Sequence, residues 1–317
     1  MFPNGGPIKG FPSLETLDLE DFPNLKGLSR VEGAELFPCL HDISIDSCPK
    51  LRLPHLSSPR ELSISTCSNM NLSSISNLSL LTDLEILEAY EDVISFPEEM
   101  LQNLMGLENL AISGIGKVKV LPESMASLLS LKSLEIRDCE ELECLLDHEL
   151  QGLKSLQRLS IARCYNMKSL SETLGQLTAL ESLVLDIGCP KGAVDLVQGI
   201  RHLDSLQSLL ISGGKRSNVE AIPELLQHLP ALNHLAIHGF PNLAFLPEWF
   251  GKLPSLQHLA IWHCPMISSL PESIRCLTNL RELLIDAPSP QLRRRCEAEK
   301  GEDWYKIAHI PHVGIWR

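Results

Sequence analysis

Apolar residues return along this 317-residue chain in one local frame. Residues 254–264 read PSLQHLAIWHC, residues 154–164 read KSLQRLSIARC and residues 230–240 read PALNHLAIHGF. Each is LxxLxI, with Cys or an apolar residue eight positions after the first leucine. The first slot falls at Leu14, Leu40, Pro59, Leu81, Leu107, Leu131, Leu156, Leu180, Leu206, Leu232, Leu256 and Leu280, at spacings of 19 to 26 residues. The second and third apolar slots lie two apart, which is the period of a strand. Leu259 and Ile261 therefore point one way and His258, Ala260 and Trp262 the other. Between strands, FPEEM at 96–100, LPESM at 121–125, IPELL at 222–226, LPEWF at 246–250 and LPESI at 270–274 place Pro before Glu. Proline suits the first helical position and glutamate the positive end of a helix, so each predicts a short helix or 3₁₀ turn. Leu128, Leu253 and Leu277 would close these turns on the core.

Twelve such units in register predict a leucine-rich-repeat solenoid. This is an α/β architecture: a curved horseshoe with a parallel sheet on its concave face and short helices or 3₁₀ turns on its convex face. One repeat cannot bury its own apolar side, but stacked repeats can. The repeats are expected over residues 1–288, with a capping segment at 289–317. In that segment Ser289 and Pro290 should start a helix running to about Lys300, with Gly301 as its stop. Trp304, Ile307 and Ile310 should cover the last strand's edge. At the other end the first repeat begins near Phe11 without a cap, from which an upstream continuation is expected. At Pro59 the leucine anchor is lost and the spacing falls to 19, predicting a local kink or tighter turn.

Composition narrows the setting. The chain is 44% hydrophobic, but no run of uncharged apolar residues is long enough to span a membrane. The first ten residues, MFPNGGPIKG, hold no apolar signal core. Of ten cysteines, Cys48, Cys67, Cys139, Cys164 and Cys264 occupy the slot held elsewhere by Phe22, Ile115 and Phe240. They are expected to act as small buried hydrophobes, reduced, in the cytosol or nucleus. No CxxC pair supports a zinc or thioredoxin reading. Sequons begin at Asn71 and Asn77 and would matter only in a secreted chain. The net charge is −13, concentrated at −10 in residues 1–100, −4 in 101–200 and +1 in 201–317. The acidic end should repel nucleic acid and anionic membrane.

The tail carries the most specific signature. Residues 292–296, LRRRC, followed by 301–311, GEDWYKIAHIP, closely resemble the C-terminus of plant intracellular nucleotide-binding leucine-rich-repeat disease-resistance proteins of the coiled-coil class. The repeats are similar too: irregular length, LPExx starts, and Pro23-Asn24, Pro49-Lys50 or Pro241-Asn242 after the strand. The resemblance implies the sensing part of such a receptor. It would recognise pathogen effectors, or host proteins they modify, and contact the family's nucleotide-binding module. No phosphate loop occurs in this chain, so no cofactor is expected here; ADP or ATP would belong to that module. Glu91-Asp-Val-Ile94 echoes a coiled-coil motif of the family but lies within a repeat, and is taken as coincidence.

The outward slots define candidate surfaces. Asp18, Glu20, Asp42, Asp46, Glu61, Asp83 and Glu85 form an acidic concave strip, either a docking strip for a basic partner or a solvated face. Glu135, Arg137, Arg158 and Arg163 form a mixed patch, whose three arginines are also candidate partner-binding residues. His234, His238, His258, Trp262 and His263 form the favoured protein-binding patch, since aromatic residues and arginine dominate interface hot spots. His234 and His258 are equivalent slots on adjacent strands, but no further ligand completes a zinc site. No nucleophile elbow or carboxylate pair suggests catalysis. The sequence thus predicts a non-enzymatic, protein-binding domain of a plant immune receptor in the cytoplasm or nucleus. The alternative is a leucine-rich-repeat substrate adaptor of the F-box type in ubiquitin ligation.

Overall fold

The computed structural model describes residues 10–28, 36–66, 70–87, 93–145, 150–167, 169–170, 172–186, 195–214 and 217–316. Cys67 and Glu91-Asp92 lie outside them. Twelve repeat strands begin two residues after their anchors: Thr16–Glu20, Asp42–Asp46, Glu61–Ser65, Asp83–Leu87, Asn109–Ser113, Ser133–Arg137, Arg158–Ala162, Ser182–Asp186, Ser208–Ser212, His234–His238, His258–Trp262 and Glu282–Asp286. With His312–Ile315 they make one thirteen-stranded parallel sheet in sequence order. The chain is a leucine-rich-repeat solenoid. The strands alternate as the frame requires: Leu259 and Ile261 are both buried, while His258, Ala260 and Trp262 are half-buried on the other face.

A recurrent turn lies behind the cysteine slot. The residue just after the strand takes a left-handed backbone at Asp21, Ser47, Thr66, Gly114, Asp138, Arg163, Gly239, His263 and Ala287 (φ +48° to +72°). That conformation swings the chain back, so the next residue enters the core. Cys48, Cys139, Cys164 and Cys264 are buried there beside Ile115 and Phe240. Phe22 departs from this expectation and is 49% exposed, because no described repeat packs against it from before. Burial raises the Cys264 thiol pKa, and burial pushes Cys296 up to about 12. Both therefore remain protonated at neutral pH.

The convex side is built of 3₁₀ turns, among them Glu123–Ser127, Glu224–His228, Glu248–Lys252 and Glu272–Cys276. The prolines sit one position earlier than expected. Pro122, Pro223, Pro247 and Pro271 are N-caps with extended ψ of 130° to 152°, and Glu is the first helical residue. Two of the repeated glutamates reach past their own turn. Glu248 accepts hydrogen bonds from the backbone N–H of Glu272 (3.0 Å) and Ser273 (2.8 Å), and Glu98 accepts one from Glu123 (2.9 Å). Each thus caps the turn of the following repeat, where free N–H groups need an acceptor. At Pro59 the expected kink does not interrupt the sheet. Glu61–Ser65 pairs in full register with both neighbours, and no helical turn lies between it and the preceding strand, so the shortening falls on the convex side.

The C-terminal segment differs in detail from expectation. Ser289 Oγ accepts from Leu292 N–H (3.0 Å) and caps a helix, Pro290–Arg295, that ends well before Lys300. Gly301 is required by close approach: a Cβ there would lie 2.1 Å from the Arg295 carbonyl oxygen. A second short helix, Trp304–Ile307, follows. The last repeat strand is covered by strand addition rather than by apolar side chains alone, with Glu282 opposite His312 and Ile285 opposite Ile315. Ile307 and Ile310 are buried, and Trp304 packs against the same core. Beneath them Asp303, fully buried, accepts from Arg295 (3.0 and 2.8 Å), from Leu270 N–H (2.9 Å) and from Lys306 (2.9 Å). Lys306 also donates to the Leu270 carbonyl (2.7 Å). Burial opposes ionisation of Asp303, but the Arg295, Leu270 and Lys306 hydrogen bonds outweigh it and hold the carboxyl below its usual range. This clasp joins the tail to the convex edge of the last repeats.

Candidate functional site

The concave face is a ladder of three outward rows, one at each end of the strands and one in the middle. Register decides which residues meet. Asp42, Glu61 and Asp83 are direct neighbours on successive strands, as are Glu20 and Asp46. Asp18 and Glu85 share the middle row. Like charges this close are mutually destabilising. Neutral donors relieve two of them: Asn109 donates to Asp83 (2.6 Å) and Ser47 to Asp46 (3.1 Å).

The mixed patch divides. Arg137 ends its strand and pairs with Glu135, while Arg158 begins the next strand, at the opposite end. Arg163 lies one residue past its strand, in the left-handed turn, where it grips Asp138 through two hydrogen bonds of 2.5 Å. That hydrogen-bonded pair lowers the pKa of Asp138.

The histidine patch also divides, across the middle row. His234 and His258 stack at the strand starts with ring centroids 4.3 Å apart and planes 5° from parallel. His258 Nδ1 lies 3.2 Å from Glu282. Stacked rings direct their nitrogen lone pairs in parallel planes, not at a common point, and among the described residues no group of three His, Cys, Asp or Glu could hold a metal ion. At the strand ends, His238 meets Trp262 edge-on (6.4 Å, 69°) and His263 (5.4 Å, 69°). Ser212 Oγ lies 3.4 Å from His238 Nδ1, and Asp286 3.7 Å from His263. Of the histidines grouped with Trp262 in the sequence, His238 therefore meets its ring, while His258 stacks on His234 at the other end of the strands. Burial, then the nearby imidazole of His258 or His263, lowers the pKa of His234 and of His238, so both are neutral at pH 7.

Trp262 and His238 wall a groove of about 850 Å³ at the strand ends, with Arg163, Tyr165, Glu140 and Gly213 around it. Gly214, at φ +65°, lets the backbone turn away beside it. Tyr165 and the glycines were not singled out in the sequence, because the residues after the strand carry no fixed spacing.

A second feature was missed. In the middle row, Val184, Leu210, Ala236, Ala260 and Leu284 are in register on five successive strands. Each is half-buried on the concave side. The preceding middle-row residues are Glu85, Ala111, Glu135 and Ser160. The middle row thus becomes continuously apolar from Val184 onward. The signal was present in the x of LxI, but only comparing that one slot across repeats reveals it.

The family described as R13L1/DRL21 LRRs matches residues 197–287. The putative disease resistance protein RGA1 of Solanum bulbocastanum is 43% identical over 116 residues, covering 37% of this chain and 12% of that protein. RGA4 of the same plant, also a putative disease resistance protein, is 46% identical over 101 residues, covering 32% of this chain and 10% of its own. The matched part thus spans about a tenth of these relatives' length. Among solved structures, the leucine-rich repeat domain of the type III effector XopL is similar over 89% of this chain and 78% of its own, at 25% identity and a TM-score of 0.55. No helix among the described residues is long and apolar enough to cross a membrane. The chain is a leucine-rich-repeat solenoid whose sequence relatives are the leucine-rich-repeat parts of plant disease resistance proteins.

Proposed function

We propose that this solenoid is the sensing part of a plant intracellular immune receptor, and that it recognises a pathogen effector, or a host protein modified by one, through the concave face of its later repeats. It acts by binding, without catalysis and without a cofactor of its own. Recognition relieves a restraint that the solenoid exerts on a nucleotide-binding module of the same receptor, in the cytoplasm or nucleus. The kinship with disease resistance proteins supports the setting. The observation that carries the location is the Trp262–His238 groove, where a large aromatic faces the concave side and leaves the core intact. Such rigid aromatics contribute much binding energy at little entropic cost. Arg163 lines it and His263 packs against His238 beside it, while Arg137, Arg158, His234 and His258 are secondary contacts elsewhere on the concave face, and the acidic strip is a separate surface for a basic segment of the receptor itself. The test is effector-triggered cell death in a full-length receptor carrying this solenoid. Trp262→Ala should abolish the response at unchanged protein abundance. A full response at unchanged abundance would place recognition elsewhere.

A further inference from the structure

We infer that the apolar lane formed by Val184, Leu210, Ala236, Ala260 and Leu284 is a seat for a cationic amphipathic helix of the recognised protein; this rests on the reading of the concave face as the binding surface. The lane runs across five strands and so along the solenoid axis. At ~4.8 Å per strand its length is ~19 Å, which a helix of ~13 residues matches at ~1.5 Å per residue. Spacing favours a helix over an extended chain. A helix offers one apolar position about every 5.4 Å, close to the strand interval, whereas same-face residues of a strand repeat every ~6.7 Å and fall out of step within two intervals.

The lane has a built end. Gly314 is in register with Leu284, and the Trp316 ring fills the space its side chain would occupy, since a Cβ there would lie 2.5 Å from Trp316 Cζ2. At the other end Ser160 takes the middle row. The occupant's charge follows from the rims. The outward positions of the five strands hold the carboxylates Asp186, Glu282 and Asp286 and no Lys or Arg. The rim histidines His234 and His238 have depressed pKa values, chiefly through burial, and add no charge at pH 7. Lysines or arginines flanking the helix's apolar stripe would meet those carboxylates and the face of Trp262.

The probes are three synthetic peptides of about 18 residues, long enough to sustain a helix. One repeats Leu at i, i+3, i+4 and i+7 with Lys between. The second has the same composition with Leu and Lys alternating. The third replaces Lys by Glu in the first. Affinities for the 317-residue chain are read by fluorescence anisotropy. The Lys helix should bind about tenfold or more tighter than either other peptide, and Leu210→Lys or Leu284→Lys should remove that advantage while circular dichroism stays unchanged. Equal binding of the alternating peptide, or a Lys-helix affinity indifferent to both substitutions, overturns the inference. Cell death in the restored receptor separates the two failures. If Trp262→Ala abolishes recognition while the peptides do not discriminate, only the helix seat falls. If Trp262→Ala and Leu210→Lys both leave recognition intact, the concave reading falls with it.

Discussion

Replacing Asp303 by Asn should loosen the end of the solenoid before it affects the rest. The Asp303 side chain is fully buried and accepts four hydrogen bonds, three of them from Arg295 and Lys306. Asn removes the charge and offers one acceptor atom where there were two. Lys306, 10% exposed at its side chain, would keep the Leu270 carbonyl but lose its close counter-ion, with Glu272 at 3.7 Å as the remaining carboxylate. Breaking one side of a buried pair costs ~3–5 kcal/mol. Arg295 is 28% exposed at its side chain and retains Glu302, so we place the loss near the lower bound, about 3 kcal/mol. A solenoid's stability is a sum of near-neighbour terms, so the loss should concentrate in the tail and the last repeats. Urea unfolding gives the magnitude, and amide exchange resolved along the chain gives the location. The same clasp should depend on pH. The folded pKa of Asp303 lies below its ordinary 3.8, so the stabilisation is full above that value and disappears as pH falls through the folded pKa. Protection of residues 290–315 should hold at about pH 5 and be lost only as pH falls below 3.8, through the lower folded pKa. A loss under about 1 kcal/mol for Asp303→Asn would refute the argument, as would uniform deprotection of all repeats.

Other outcomes follow from the same structure. Leu259→Ala, at a buried slot, should cost ~2–5 kcal/mol in urea unfolding, and less than about 1 would mean the register is wrong. Glu248→Ala removes both acceptors from the next turn and should cost ~0.5–2 kcal/mol, with faster exchange at the Glu272 and Ser273 amides. In the native protein, Cys39 and Cys276 should react quickly with a thiol reagent because they are exposed, while Cys139, Cys264 and Cys296 react only on unfolding. Fast native reaction at Cys264 would contradict its core placement.

The repeating part of this fold is legible because one frame is written twelve times. Leu256, Leu259 and Ile261 fix a strand and its inward face, and the next repeat repeats the statement. What the frame does not fix was read less well. The cysteine slot follows from spacing, but the left-handed turn that creates it falls on Asp138, Arg163 and His263, which have no shared residue type. Treating Arg163 and His263 as strand-facing therefore missed that they stand on the rim. The glutamate of the LPE start was assigned to its own turn, whereas Glu248 serves the following one; a contact between repeats is invisible to a reading within a repeat. In the tail, Trp304, Ile307 and Ile310 announced a cover, but nothing in the spacing marked Asp303 and Lys306, whose contacts with each other, Arg295 and Leu270 explain their burial. The division of the histidines into His234–His258 and His238–Trp262–His263 follows from strand position, which the sequence supplied and the grouping by residue type obscured.

The central claim is that recognition occurs on the concave face around Trp262 and not on the acidic strip. The direct measurement is the affinity of the purified solenoid for the protein that triggers its receptor, compared between Trp262→Ala and the pair Asp42→Asn, Asp83→Asn. Trp262→Ala should weaken binding by ~2 kcal/mol or more, about thirtyfold, with unchanged thermal unfolding, while the acidic pair changes affinity little. Unchanged affinity for Trp262→Ala, with a marked loss for the acidic pair, would contradict the account.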